Sequence, residues 1–208
     1  MEDILDLYEE AYNHRKPVLC FDEKPYQLIE DKVIPVPMKS GSPKKYDSEY
    51  GRKGTCSIFV VCEPLTGWRY EEVRKQRTKM DYAEFMDKVS EKYPGAEVIR
   101  LVQDNLNTHN AGSFYERFDP EKARYLKSRF EFHYTPKKGS WRNMAEIELS
   151  ALERQCLDRR IGDMEILERE AKAWEEERNQ KKIMIHWRFT TPDARLKLER
   201  HYKSVIKI

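Results

Sequence analysis

Apolar residues recur at helical spacing at Ile4, Leu5, Tyr8, Ala11 and Tyr12, which predicts a short N-terminal helix closed off by Pro17. Val18-Leu19-Cys20-Phe21 is instead an unbroken apolar run, the pattern of a strand buried on both faces, and it stops at Asp22-Glu23. A short extra strand is expected over Tyr26 to Ile29. A longer one is expected over Thr55 to Cys62, turned back by Pro64-Leu65-Thr66-Gly67 onto Trp68 to Val73. Between them, Pro35 to Gly54 is rich in Pro, Gly, Ser, Lys and Tyr without periodicity, and reads as a mobile basic loop holding Lys39, Lys44, Lys45, Arg52 and Lys53.

Asp81 with Glu84 looks like a capping box, and Tyr82, Phe85, Met86, Val89 and Tyr93 then form one helical stripe ended by Pro94-Gly95. Val98 to Val102 is a second buried strand running straight into a carboxylate, Asp104. Asp119-Pro120 starts a helix over Glu121 to Lys127, after which Phe130, Phe132 and Tyr134 alternate as a strand. Pro136-Lys137-Lys138-Gly139-Ser140 breaks the chain. Asn143 then caps a helix whose apolar positions Met144, Ile147, Ala151 and Leu152 face one way, with Glu146 and Glu148 in its first turns. Asp163 to Lys182 is a heavily charged helix with a thin stripe of Ile166, Leu167, Ala171 and Trp174. Ile183, Ile185, Trp187 and Phe189 alternate like a strand. Thr191-Pro192-Asp193 starts a last basic helix containing Arg195, Lys197, Arg200 and Lys203.

Composition narrows the class without naming a partner. The 208 residues suffice for a sizeable core, and 12% aromatics argue against disorder although 37% of residues are charged. With 39 Lys+Arg against 37 Asp+Glu, any case for nucleic acid must come from local clusters. Cys20, Cys56, Cys62 and Cys156 lack CxxC pairing and read as reduced core thiols. No signal peptide or membrane span is evident, so a cytoplasmic chain with no membrane partner is expected.

Without the short extra strand, the order is three strands, helix, strand, helix, strand, helix. If the first and fourth strands are neighbours, Asp22 and Asp104 project side by side and the following helix brings Glu146 across. Three carboxylates without a matching Arg or Lys repel one another unless a cation joins them, and hard oxygen ligands suit magnesium or manganese. Taken one at a time these positions are bland. Asn143 with Glu146 is an ordinary capping box, and Asp22-Glu23 and Asp104-Asn105 are ordinary strand ends.

Taken together they resemble a family. Phe21-Asp22-Glu23, Asp104-Asn105 followed by His109, and Gly139-Ser140-Trp141 with Asn143-Met144-Ala145-Glu146 are similar to the DDE catalytic domain of mariner-like transposases, in the bacterial insertion-sequence branch, over about Pro17 to Tyr202. The resemblance implies an α/β, ribonuclease H-like fold: a mixed five-stranded sheet flanked by helices, with a charged C-terminal helical extension. The expected organisation is an N-terminal helix at 1–16, a catalytic core at 17–160 and the extension at 161–208.

By that resemblance Asp22, Asp104 and Glu146 hold two Mg2+ or Mn2+ ions for cleavage and strand transfer at transposon ends. Asn105 and His109 stand behind the acids as orienting residues. Lys39, Lys44, Lys45, Arg52, Lys53, Lys137, Lys138, Trp141 and Arg142 meet double-stranded DNA, both transposon ends and target. A homodimer and a cytoplasmic, nucleoid-associated bacterial setting are implied too. The interval of 41 residues between Asp104 and Glu146 leaves Glu148 as the alternative third acid, and Arg142 stands where relatives tend to carry an aliphatic residue. Such transposases carry an N-terminal helix-turn-helix domain, and nothing before Pro17 is long enough for one. The sequence therefore reads as a catalytic fragment, one frame of a split gene, or a decayed copy. The competing functions are a ribonuclease H-type nuclease and a catalytically silent descendant that binds DNA or protein.

Overall fold

In the computed structural model, which describes residues 2–136 and 139–200, one sheet organises the chain. Its strands are β1 (Val18–Asp31), β2 (Tyr50–Glu63), β3 (Trp68–Arg74), β4 (Ile99–Gln103) and β5 (Phe130–Tyr134). They lie in the order β3-β2-β1-β4-β5. The β1–β2 and β2–β3 pairs are antiparallel, whereas β1–β4 and β4–β5 are parallel, so the sheet is mixed as expected. The helices are α1 (Glu2–Glu9), α2 (Lys79–Glu91), α3 (Gly112–Arg117), α4 (Pro120–Arg129), α5 (Ala145–Leu152), α6 (Met164–Gln180) and α7 (Thr191–Lys197).

Strand alternation divides the core between the two faces. Leu19, Phe21, Phe59 and Val61 point to one side and are covered by Tyr82, Phe85, Met86 and Val89 of α2, with Phe114 and Leu126. Ile58 and Val60 point to the other side, against Leu149 and Leu152 of α5 and Leu167 and Trp174 of α6. A third cluster joins Ile4 and Leu7 of α1 to Cys20, Cys62, Val102, Met144 and Ala145. All four cysteines are buried and free.

Several expected boundaries move, each for a local reason. The first strand does not stop at Asp22: it runs on to Asp31 and absorbs the short strand expected at Tyr26, because β2 pairs with it along its whole length. Pro25 is tolerated there because β4 pairs only with Val18 to Cys20, so that side of β1 is an edge where no N–H is needed. The basic loop is shorter than expected. Arg52 and Lys53 belong to β2, and the remainder carries bridges between Val36 and Lys45 and between Lys39 and Ser42. The α2 capping box is Thr78 with Asp81, one turn earlier than the Asp81–Glu84 reading. Residues α3 contributes were not anticipated, since its six residues are too few to show a period.

Ile183 to Phe189 is not a strand: Ile185 N–H donates to the Pro64 carbonyl at 2.9 Å in the β2–β3 turn, and the Ile183 carbonyl accepts from the Arg69 side chain of β3 at 2.6 Å. Ile147 and Ile166 are exposed rather than part of their stripes. The charged α6 packs on β3 through buried Leu167, Ala171 and Trp174, and buries Glu175 and Arg178 as well. Lys203 lies outside the described residues. No helix among the described residues is long and apolar enough to cross a membrane.

Candidate active site

The parallel ladder between β1 and β4 ends at Cys20 opposite Val102. Two residues further along each strand stand Asp22 and Asp104, so the register that the apolar runs establish sets the two acids abreast at the open end of the ladder. Alternation turns Asp22 toward α5 and Glu23 toward α2, because their neighbours Cys20 and Phe21 pack on those respective sides.

Asn143 fixes α5 over this point. Its side-chain oxygen accepts from Ala145 N–H at 3.1 Å, while its nitrogen donates to the Phe21 carbonyl at 2.7 Å and to Asp22 Oδ2 at 3.3 Å. The cap position proper is Met144, which makes no side-chain capping bond; Asn143, expected as the cap, stands one residue ahead of it, accepting from the first helical N–H and tying α5 to β1. Three residues on, Glu146 makes no capping bond, and it shares with Asp22, Glu23, Lys24 and Glu153 a cleft of about 170 Å³. Among the described residues no cation pairs with Asp22 or Glu146; Lys24 in the same cleft pairs with Glu153 at 2.9 Å.

The electrostatics are asymmetric. Burial, then the carboxylates of Glu146, Glu23 and Asp104, push the Asp22 pKa up to about 7, against the lowering effect of the hydrogen bond from Glu23 N–H. Asp104 is held below its ordinary value, chiefly by His109. The His109 Nδ1 lies 2.5 Å from Asp104 Oδ1 and its Nε2 lies 3.0 Å from Glu23 Oε2. Burial alone would lower the imidazole pKa, but the two carboxylates outweigh it and raise it to about 9. Charge is thus balanced at Asp104 and left unbalanced between Asp22 and Glu146.

The alternative third acid is committed elsewhere. Glu148 is fully buried and its carboxylate is clamped by two arginines, at 3.1 Å from Arg69 Nε and at 3.0 Å from Arg178 Nη2. Both its oxygens are occupied in holding β3, α5 and α6 together, which leaves Glu146 as the acid that faces Asp22.

Other expected site residues fare differently. His109 is in contact with Asp104, whereas Asn105 is exposed and its side chain makes no hydrogen bond among the described residues. Arg142 is corrected: it is 5% exposed, folded back 4.3 Å over the Trp141 ring, so it is not presented to DNA as expected. Trp141 is 46% exposed but already stacked on Trp187 and edged by Phe189. Lys39, Lys44, Lys45, Arg52 and Lys53 are exposed, Lys53 pairing with Glu30 at 2.8 Å. Lys137 and Lys138 lie outside the described residues. Sequence reasoning missed Glu23, Arg77 and the Asn143 tie. The only signal for Glu23 was its position beside Asp22, on the opposite face of a strand.

The donor set is one of hard oxygens. Asp22 and Glu146 lack a counter-charge, and the second oxygen of Asp104 carries no hydrogen bond among the described residues. Such a set fits a divalent cation of the magnesium class. As they stand, no three His, Cys, Asp or Glu side chains among the described residues form a ready-made cage.

Comparison with known proteins adds the family. The family model described as DDE superfamily endonuclease matches residues 17–168. No curated protein matches the chain. Among solved structures the chain is similar to the Mos1 mariner paired end complex with Mn, with a TM-score of 0.53 and 16% identity over 88% of this chain and 55% of that one. It is also similar to the Mos1 transposase paired-end complex with left transposon end, with a TM-score of 0.51 and 18% identity over the same shares. The likeness is one of fold, α/β and ribonuclease H-like, and the chain spans about 55% of the length of these relatives.

Proposed function

The chain belongs to the DDE superfamily of endonucleases, and from that membership we propose that it is the catalytic domain of a mariner-like transposase of the bacterial insertion-sequence branch, cleaving and joining DNA strands at transposon ends. The observation that carries the reading is the crowding at Asp22. A half-buried carboxyl that faces Glu146, Glu23 and Asp104 with no cation of its own is destabilised unless an ion is bound there. Asp22, Glu146 and the free oxygen of Asp104 are the groups that would hold Mg2+ or Mn2+. When bound, two such ions activate the attacking oxygen and stabilise the leaving 3′ oxygen of an in-line phosphodiester displacement.

The chain's own work is positioning. Asn143 sets α5, and with it Glu146, against β1; His109 keeps Asp104 ionised and takes one of its oxygens, so that the other is left toward the reacting phosphate. Water attacks in cleavage, and a freed 3′ hydroxyl attacks target DNA at the same place in joining. The partners in this reading are double-stranded DNA and a second copy of the chain, in the cytoplasm, with the exposed Lys39, Lys44, Lys45 and Arg52 on the β1–β2 hairpin as DNA contacts.

The test combines melting with and without millimolar Mn2+ and Mn2+-dependent nicking of supercoiled plasmid, for the wild type and for Asp22→Asn, Asp104→Asn and Glu146→Gln. The expected result is a raised Tm and nicking in the wild type, both lost in every variant, because a ligand that binds only the folded chain must stabilise it. Nicking that survives in Asp104→Asn would sink the proposal.

A further inference from the structure

Among the described residues the β1–β4 pairing ends at Cys20 opposite Val102: β1 continues in pairing with β2, and β4 with β5 as far as Gln103 opposite Tyr134. The ladder therefore brings Asp22 and Asp104 abreast but stops short of them, so it does not fix their exact spacing. A side-chain bridge crosses the gap instead, running from Glu23 on β1 through the His109 imidazole to Asp104 after β4.

The bridge is flanked by further contacts at each joint. The imidazole is gripped by Phe21, edge-on at 5.1 Å, and by Tyr82, stacked at 5.1 Å. The His109 carbonyl accepts from Gln103 Nε2 at 2.9 Å, and Gln103 Oε1 accepts from the Tyr82 hydroxyl at 2.8 Å. At the far end Arg77 Nη1 reaches the second Glu23 oxygen at 3.3 Å. The Glu23 side chain is 4% exposed, and its Oε2, sealed from solvent, makes no hydrogen bond among the described residues; its contact is the ion pair with His109 Nε2 at 3.0 Å. A buried carboxylate so placed serves no solvent contact.

We propose that Glu23 is a positioning residue for the metal-holding acids, acting through His109 to fix the distance and rotation of Asp104 relative to Asp22. The inference rests on the reading of Asp22, Asp104 and Glu146 as the ion-holding set and adds to it the device that keeps two of them in register. Groups that orient metal-holding side chains typically contribute about 10–100-fold in affinity.

The test is direct Mn2+ binding, read from the free-ion electron paramagnetic resonance signal, for the full chain, Glu23→Ala and Glu23→Asp. Melting in EDTA reports that each variant is folded. Glu23→Ala removes the bridge, and Glu23→Asp keeps the charge but falls a methylene short of His109. Both are expected to weaken Mn2+ binding at least about tenfold. Wild-type affinity in Glu23→Asp would reduce the residue to a general negative charge, and wild-type affinity in Glu23→Ala would remove it from the site; either overturns the proposal.

If the wild type itself binds no Mn2+, the ion-holding reading fails, and the bridge is then decided without metal by the ring 15N–1H spectrum of His109. Loss or broadening of the Asp104-facing Nδ1–H signal in Glu23→Ala supports the positioning link. An unchanged signal overturns it.

Discussion

The side-chain nitrogen of Asn143 lies 3.3 Å from Asp22 Oδ2 and 2.7 Å from the Phe21 carbonyl, so a residue at the foot of α5 holds the carboxylate of a strand far away in sequence. Replacing it with Ala leaves a buried carbonyl without its donor and the Ala145 N–H at the start of α5 without its acceptor. The expected loss is about 1–3 kcal/mol, seen in chemical denaturation. Asn143→Asp keeps an acceptor for Ala145 N–H but sets a fourth carboxylate against Asp22. It is expected to melt lower than wild type in EDTA, and to recover more on adding Mn2+ than Asn143→Ala does. Equal recovery in the two variants would detach Asn143 from the acid cluster.

Glu146 and Glu148, two residues apart, are expected to respond oppositely to loss of charge. Glu148→Ala strands Arg69 and Arg178 in the interior, and breaking a buried pair in this way costs about 3–5 kcal/mol, enough to unfold a marginal domain. Glu146→Gln removes a repulsion from Asp22 and should leave the metal-free protein as stable as wild type or more so. Denaturant midpoints in EDTA check both. A Glu146→Gln protein clearly less stable than wild type would mean that the two acids do not crowd each other.

Much of this was legible in the chain. The two apolar runs Val18 to Phe21 and Val98 to Val102 read as buried strands, and once the sheet makes them neighbours Asp22 and Asp104 stand abreast. What failed to show were the parts set by pairing rather than by pattern. The strand continues through Asp22-Glu23-Lys24-Pro25 because β2 runs beside it, and no local periodicity reveals that. Glu148 could not be told from Glu146 because its answer lies in Arg69 and Arg178, on elements 79 and 30 residues away. Arg142 is invisible for the same reason. A cation beside the motif reads as a DNA contact until the turn folds it under Trp141.

At Gly67 the turn between β2 and β3 has φ +71°, and a Cβ there would come within 2.5 Å of the Lys182 backbone carbonyl carbon. Gly67→Ala should therefore lose about 1–2 kcal/mol from the left-handed backbone alone, with more from displacing residues 182–185. Because Ile185 N–H is bonded to the Pro64 carbonyl in the same turn, hydrogen exchange at Ile185 should speed up in the variant. Unchanged exchange there, with a lowered Tm, would place the strain wholly within the turn.

The pH dependence between about pH 4 and 9 follows chiefly from Asp22, Glu71 and His109, the groups raised into that range. Asp22 titrates near 7 when folded against about 3.9 unfolded, so the folded chain holds that proton more tightly and stability falls as pH climbs across that window. Glu71, raised by burial and by Glu175 to about 8, acts in the same direction. His109, raised to about 9, contributes stability in full below about 6.5 and loses it as pH passes 9. Asp104, held low by His109, works the other way, as do Glu72 and Glu84 beside Lys88, Arg74 and Arg117; each loses its contribution as pH falls below the ordinary carboxylate range. In EDTA the Tm is therefore expected to decline from about pH 5 to pH 9. Glu71→Gln should flatten part of the slope below pH 8, and Glu146→Gln part of it below pH 7. Saturating Mn2+ should remove the Asp22 share, since an ion at that carboxylate displaces its proton. A metal-free Tm that rises through neutral pH would contradict the crowding of Asp22 and, with it, the main ground for an ion there.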